Sequence, residues 1–220
     1  MSTLIREMPA PLPRAEEVAN CVTHALGFAL SVLGTVILLR ATVQYGNAWQ
    51  MVGVSVYGAT LVALYAASTL SHTFQRPRVR HFFRTMDQVC IFFLIAGTYT
   101  PIALTYLREG WWWALFIAIW GLALAGSFFK IFYTRLHNVA VGAYVVLGWL
   151  PVLAIKPILA AMPVAALWWM LAGGILYTVG TLFLARDEQV PYFHAIWHLF
   201  VIAASACHFF AVLRFVVPWG

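Results

Sequence analysis

Long apolar stretches alternate with short polar connections along almost the whole chain. Seven of these stretches approach or exceed the roughly 20 residues that a helix needs to cross a bilayer core. They are residues 21–44, 49–71, 83–107, 112–129, 138–155, 164–184 and 192–217. Glycine, proline and charged residues mark the breaks between them, as they do between helices. The pattern predicts an all-α membrane protein whose single seven-transmembrane helix bundle spans 17–220 and follows a short segment, 1–16.

The composition agrees with this pattern. The chain has 220 residues, of which 63% are hydrophobic and 9% are charged, whereas soluble domains carry about 25% charged residues. The net charge of +6 could suggest nucleic acid, but the basic residues are scattered between apolar stretches. No nucleic acid and no soluble protein partner are therefore predicted; membrane lipids are the expected partners. The three cysteines form no disulfide framework or thiolate zinc spacing.

The basic residues also predict how the bundle is oriented. With a cytoplasmic N-terminus, nine of them fall inside and four outside, which the positive-inside rule favours. The nine are Arg6, Arg14, Arg76, Arg78, Arg80, Arg84, Lys130, Arg135 and Arg186, and the four are Arg40, Arg108, Lys156 and Arg214. Tryptophans fall at the opposite boundary, as an interfacial belt would: Trp49, Trp111, Trp112, Trp113, Trp168, Trp169 and Trp219. We expect the N-terminus in the cytoplasm and the C-terminus outside.

Polar residues from three predicted helices fall at one depth in this orientation. His194 and His198 are four residues apart, so they share a helix face near the start of the last helix. His72 lies near the inner end of the second helix, with Ser68 one turn before it. Asp87 lies near the inner start of the third. Ionisable residues inside a membrane are costly and usually functional, so this level is the candidate site.

The residue types indicate a chemistry. Three neutral imidazoles with a fourth position left to water form a common zinc set, and zinc makes such a water acidic. Asp87 could orient a ligand or act as a base, and Ser68 could donate to a developing oxyanion. The alternative is that the histidines only snorkel or form interhelical hydrogen bonds. No His-Glu-x-x-His motif of zinc proteases is present.

Other polar residues accompany this level. Glu17, Asn20 and His24 follow helical spacing, so they could cover the site from one face, or simply begin an interfacial helix. His208 lies about 15 Å beyond His198 along a helix, which is too deep for the same metal, and favours an interhelical hydrogen bond. Pro101 predicts a kink or an early end in the third helix.

Together these residues resemble a known family. The pattern is Glu17-x-x-Asn20-x-x-Thr23-His24, Ser68-x-x-x-His72, Asp87, Ala96-Gly97-Thr98-Tyr99-Thr100-Pro101 and His194-x-x-x-His198. It resembles the progestin and adiponectin receptor family, in particular its bacterial hemolysin III-like branch. The resemblance implies a seven-helix bundle with a cytoplasmic N-terminus in the bacterial inner membrane.

The resemblance also implies a site. Zn²⁺ would be held by His72, His194 and His198, with Asp87 linked to water. The related alkaline ceramidases use a similar constellation to hydrolyse a lipid amide. This chain has Gln88 after the aspartate where many members have histidine, which affects hydrogen bonding around the site.

Three hypotheses follow for function. The first is a zinc-dependent hydrolase of lipid amide or ester bonds acting from the cytoplasmic leaflet. The second is a membrane receptor or sensor with structural zinc. The third is a pore-forming cytolysin, which the hemolysin name implies. Neither the substrate nor the oligomeric state follows from the sequence.

Overall fold

The computed structural model describes residues 13–110, 112–132 and 137–217. Over those residues the chain is helical and contains no strand. The helices are α1 (Arg14–Tyr45), α2 (Ala48–Thr73), α3 (Pro77–Tyr106), α4 (Trp112–Phe132), α5 (His137–Trp149), α6 (Ile155–Ala161), α7 (Val164–Leu184) and α8 (Phe193–Ala211). A 3₁₀ segment, Leu150–Ala154, joins α5 to α6, and a π-helical segment, Val212–Val216, follows α8.

Seven helical segments of the described chain are long and apolar enough to cross a membrane, with α5 and α6 combining into one of them. The predicted all-α, seven-helix fold is confirmed. The membrane orientation stays a prediction, and so does the division at residue 17. Four residues used in the orientation argument, Arg6, Trp111, Arg135 and Trp219, lie outside the described residues, as do residues 1–12 of the N-terminal segment.

Two helices begin earlier than their hydropathy predicts. α1 begins at Arg14, with Glu16 and Glu17 in its first turn, where acidic groups interact favourably with the helix dipole. α3 begins at Pro77 rather than at 83, with the proline in the first turn, where its missing N–H costs nothing. His81, predicted in a basic loop, is therefore an exposed residue of α3. Polar residues of both first turns thus become part of the bundle.

Prolines do not end the helices where the sequence predicts. α3 continues past Pro101 to Tyr106, so of the predicted kink or early end, the early end is wrong. Gly53 of α2 packs against the Pro101 backbone at a distance that leaves no room for a side chain, and neighbouring helices make such prolines tolerable. Pro157 comes just after the predicted apolar stretch 138–155 but lies in the first turn of α6, where N–H groups have no helical acceptor. The helix break lies earlier, at Pro151 in the 3₁₀ segment.

The bundle has a protein-packed interior and a lipid-facing exterior. α3 is the most buried of the spanning helices, followed by α2, whereas α1, α4 and α7 expose large apolar side chains as lipid-facing helices do. Glycines permit close helix approach, since a Cβ atom on Gly180 would meet Trp197 at 2.7 Å. α1, α3, α5 and α8 begin, and α2, α4 and α7 end, at the same end of the bundle. We call it the site end.

Candidate metal centre

Three histidines converge near the site end. His72 lies in the last turn of α2, and His194 and His198 lie in the first turns of α8. Each offers a ring nitrogen, and these nitrogens lie within 4.8 Å of one another. His72 and His198 are buried, and His194 is half-buried. The sequence predicted this set from depth and spacing, and the arrangement could hold a metal ion.

Each of the three imidazoles has its Nδ1 atom at hydrogen-bond distance from an oxygen. The pairs are His72 with Glu17 at 3.0 Å, His194 with Asp187 at 2.6 Å, and His198 with Thr23 at 3.0 Å. Metal-bound histidines characteristically use the second ring nitrogen in this way, which fixes the ring and its tautomer. The Nε2 atom of His72 is buried without a hydrogen-bond partner. The donor set and this unsatisfied nitrogen fit a metal ion bound through Nε2 atoms.

The turn before α8 is held by the first turn of α1. Tyr192 has a left-handed backbone conformation, with φ of 63°, which is uncommon for a residue other than glycine. Its N–H donates to Oε2 of Glu16 at 3.1 Å. This bond fixes the point where the chain enters α8, and so the direction in which His194 leaves the helix.

Glu17 belongs to a closed circuit of polar contacts around His72. Its carboxylate contacts both the His72 ring and the Arg80 guanidinium, and all three side chains are buried. Arg80 also donates to Oε1 of Gln75 at 3.4 Å, and the amide of Gln75 donates to the His72 carbonyl at 3.1 Å. Arg80 counted only as a topology charge in the sequence. In the structure it ties the connection between α2 and α3 to a histidine of the cluster.

The two predicted catalytic residues lie beside the histidines. Asp87 of α3 lines the same cavity as His72 and His194, and its carboxyl interacts with the His194 ring and lies near Ser68. Ser68 is fully buried one turn before His72, with its hydroxyl close to that carboxyl. The structure therefore brings a carboxyl group and a neighbouring hydroxyl to the histidine cluster.

The three polar residues of α1 are buried against the cluster. Glu17 contacts His72, as described. His24 is 3% exposed, and its ring stacks on His198 with centroids 3.5 Å apart and an interplanar angle of 27°. Neither ring nitrogen of His24 has a hydrogen-bond partner, and His24 is not part of the group whose nitrogens converge. Asn20 is 1% exposed, with an amide that also lacks a partner.

A large cavity connects the cluster to the apolar interior. Its volume is about 990 Å³, and its wall includes His72, Asp87 and His194 at the site end. Along α7 the wall runs from Leu184 to Val164, which corresponds to about 30 Å of helix. Most of the lining is apolar side chains of α3, α5, α7 and α8. Such dimensions and lining are typical of a small-molecule site, for which about 300–1,000 Å³ is usual.

Three residues around the histidine cluster were not predicted from the sequence, whereas His208 was correctly predicted to lie away from it. Thr23 and Asp187 contact histidines of the cluster and Arg80 contacts Glu17, but none of the three had a role in the sequence-based site. The chain has only seven acidic residues, so every acid near a predicted ligand is a candidate partner, and that signal could have identified Asp187. His208 is buried away from the cluster, with Nδ1 3.3 Å from the sulfur of Met170 on α7, so its predicted interhelical hydrogen bond is confirmed.

Fold and site define an integral membrane protein: a seven-helix bundle with a three-histidine cluster that could hold a metal ion, at one end of a long apolar cavity. Residues 13–209 match the family model described as "Haemolysin-III related". The chain belongs to that family.

Individual relatives agree with this assignment. The chain is similar to Hemolysin-3 of Bacillus cereus, with 43% identity over 92% of this chain and 93% of that protein. It is 39% identical to the Hemolysin-3 homolog of Bacillus subtilis (strain 168), over 92% of this chain and 95% of the homolog. It is 30% identical to the human monocyte to macrophage differentiation factor, over 91% of this chain and 84% of that protein. The predicted resemblance to the receptor family and its hemolysin III-like branch is confirmed.

Proposed function

We propose that this protein is a zinc-dependent hydrolase that cleaves an amide or ester bond of a membrane lipid. The observation that carries the proposal is the arrangement of His72, His194 and His198. Their Nδ1 atoms have oxygen partners, and the three rings bring nitrogens within 4.8 Å of one another beside Asp87, at the wall of a cavity. A set of three histidines that leaves one position open is typical of catalytic rather than structural zinc.

Zinc bound there would lower the pKa of a water molecule to about 7 and polarise a carbonyl oxygen. The chain supplies the other functions. Asp87 accepts the proton of the attacking water and returns it to the leaving group, as a general base and then a general acid. The hydroxyl of Ser68, which lies beside Asp87, donates to the oxygen of the reacting carbonyl. Glu17, Thr23 and Asp187 hold the imidazoles in their binding orientation.

The cavity supports a lipid as the substrate. Beyond the polar site end its lining is apolar for most of the length of α7, which suits an acyl chain rather than a soluble peptide. At the far end it reaches Trp168, which is 66% exposed on the surface of the bundle. With the orientation that the basic residues favour, the reacting bond would lie in the cytoplasmic leaflet of the bacterial inner membrane.

The test compares metal content and membrane lipids in parallel. Purified wild-type protein is expected to contain about one zinc per chain, and His194→Ala to contain much less. Asp87→Asn should retain the metal but release no fatty acid or amine from a lipid panel analysed by mass spectrometry. Wild-type protein that carries zinc yet leaves every lipid class unchanged would contradict the hydrolase.

A second candidate is a sensor in which the zinc is structural. The observation that favours it is that the cluster joins α2 to α8, while its oxygen partners come from α1 and from the turn before α8. In that case Asp87→Asn would leave the cellular phenotype unchanged, and the three histidine variants would abolish it.

The names of the Bacillus relatives suggest a third candidate, a cytolysin. Leakage of liposomes that persists when all three histidines are replaced would support it.

A further inference from the structure

One buried cation is not used by the proposed reaction. Lys130 lies in the last turn of α4, is 5% exposed and lines the same cavity as the histidine cluster. The chain has only one other lysine, Lys156, which is exposed. A lysine near a membrane boundary ordinarily extends its ammonium group into water, but the side chain of Lys130 is covered by protein instead.

The packing of α4 on α3 places Lys130 close to the level of the metal centre. Gly126 lies against the ring of Phe92, at a distance where an added Cβ atom would come within 2.5 Å of it. The two helices are antiparallel, so Lys130, one turn after Gly126, lies near the level of Gln88, one turn before Phe92. Gln88 also lines the cavity and directly follows Asp87 in the sequence.

The other cations near the site have acidic neighbours. Arg80 contacts Glu17, and Arg84 lies near Asp87, Asp187 and Glu188. Within 13–110, 112–132 and 137–217, no ion pair or hydrogen bond joins the Lys130 ammonium to a carboxylate. A buried ammonium group without a counter-charge is strongly unfavourable, so an anion that approaches Lys130 from the cavity would stabilise it.

We propose that Lys130 binds the anionic oxygen group of an amphiphile whose chain fills the cavity. The group is either the phosphate of a lipid headgroup or the carboxylate of a fatty acid, since both are oxyanions that an ammonium group binds. What this inference says about the reaction rests on the proposed function. If the anion is a headgroup phosphate, the substrate is a lipid with a negative charge close to the bond that is cleaved. If the anion is a carboxylate, it belongs to a fatty acid product. The binding of the anion does not depend on catalysis.

The test measures ligand binding without turnover. Dissociation constants of purified wild-type protein in a neutral detergent are determined for lysophosphatidate, oleate and oleyl alcohol. Lys130→Met should weaken binding of the anionic amphiphile by about ten- to a hundredfold, since a charge-assisted hydrogen bond contributes about 1.5–3 kcal/mol. It should leave oleyl alcohol unchanged. Lys130→Arg should retain most of the affinity, and Lys156→Met, the matched control, should retain all of it.

The comparison of the three ligands distinguishes the possible sources of the anion. If lysophosphatidate binds more tightly than oleate, the anion is a headgroup phosphate; if oleate binds more tightly, the anion is the carboxylate of a released fatty acid. Either result supports the site if Lys130→Met abolishes the preference for that anion over oleyl alcohol. Equal weakening of all three ligands would mean that Lys130 only shapes the cavity, and unchanged binding would mean that the anion lies elsewhere; both overturn the inference. If Lys130→Met does not remain monodisperse, Lys130→Gln replaces it.

The proposed function can fail independently. A protein that releases no product from any lipid, yet binds the anions through Lys130, keeps the anion site and loses the hydrolase. A protein that hydrolyses lipids but binds charged and neutral amphiphiles alike keeps the hydrolase and loses the anion site.

Discussion

Oδ2 of Asp187 lies 2.6 Å from Nδ1 of His194, and this contact connects the turn between α7 and α8 to the histidine cluster. Replacing Asp187 by alanine removes the group that fixes the His194 ring. Loss of such a partner typically weakens metal binding about 10- to 100-fold. We expect this decrease in zinc affinity, measured by competition with a chromophoric chelator in detergent.

Glu188→Ala is the control for this prediction, because Glu188 is the next residue of the same turn, while the acidic partner of His194 among the described residues is Asp187. Its zinc affinity should stay close to that of the wild type. Equal losses in both variants would assign the effect to the net charge of the turn rather than to the bond with His194.

Glu17 and Arg80 form a buried ion pair, and removal of either partner leaves the other unpaired. Breaking a buried pair in this way costs about 3–5 kcal/mol. Glu17→Gln and Arg80→Met should therefore each lower the thermal unfolding temperature markedly in detergent. The double variant should be destabilised by less than the sum of the two, because no unpaired charge remains. Arg78→Met, at an exposed position of the same helix, should change little; additive losses would mean that the two side chains act separately.

His24 stacks on His198 but does not join the group of converging nitrogens. His24→Phe keeps an aromatic ring against His198 and removes both ring nitrogens. We expect this variant to bind zinc with wild-type stoichiometry by elemental analysis, whereas His72→Ala should lose stoichiometric binding. Loss of zinc in His24→Phe would make His24 a ligand and would require a different centre.

The fold was predictable because membrane-spanning helices are long apolar runs, which can be identified in the sequence without knowing how the helices pack. The starts of α1 and α3 were not, because Glu17 and Arg80 are buried by pairing with each other, and hydropathy treats each charge alone. The same limit applies to Lys130, which the sequence presents as a topology charge.

The histidine cluster was predictable because helical spacing and depth together bring His72 to His194 and His198. Its oxygen partners depend on local conformation instead. Asp187 reaches His194 through a turn that includes the left-handed Tyr192, and no periodic pattern encodes such a turn. Thr23 lies within the family-like pattern, but its contact with His198 depends on how α1 and α8 are rotated against each other.

Gly180 of α7 packs directly on α8, where a Cβ atom would lie 2.7 Å from Trp197 and 2.8 Å from the Cβ atom of Phe200. The Cβ atom of Phe200 is bonded to the backbone and can move only if α8 moves. Gly180→Ala should therefore destabilise the protein by about 1–3 kcal/mol. Gly121→Ala is the control, since nothing lies within 4 Å of its added methyl group. That substitution should be neutral or stabilising by up to about 1 kcal/mol through helix propensity. Similar thermal stabilities of the two variants would contradict the close contact of α7 and α8.

The membrane orientation decides which leaflet the histidine cluster faces. Arg78 lies in the first turn of α3 and Glu109 lies three residues after its end, and both positions are exposed. In a variant whose three cysteines are replaced by serine, Glu109→Cys should react with a membrane-impermeant maleimide in intact spheroplasts. Arg78→Cys should react only after permeabilisation, because the excess of basic residues keeps the site end in the cytoplasm. The reverse labelling pattern would place the histidine cluster on the outer side, and with it the proposed hydrolysis.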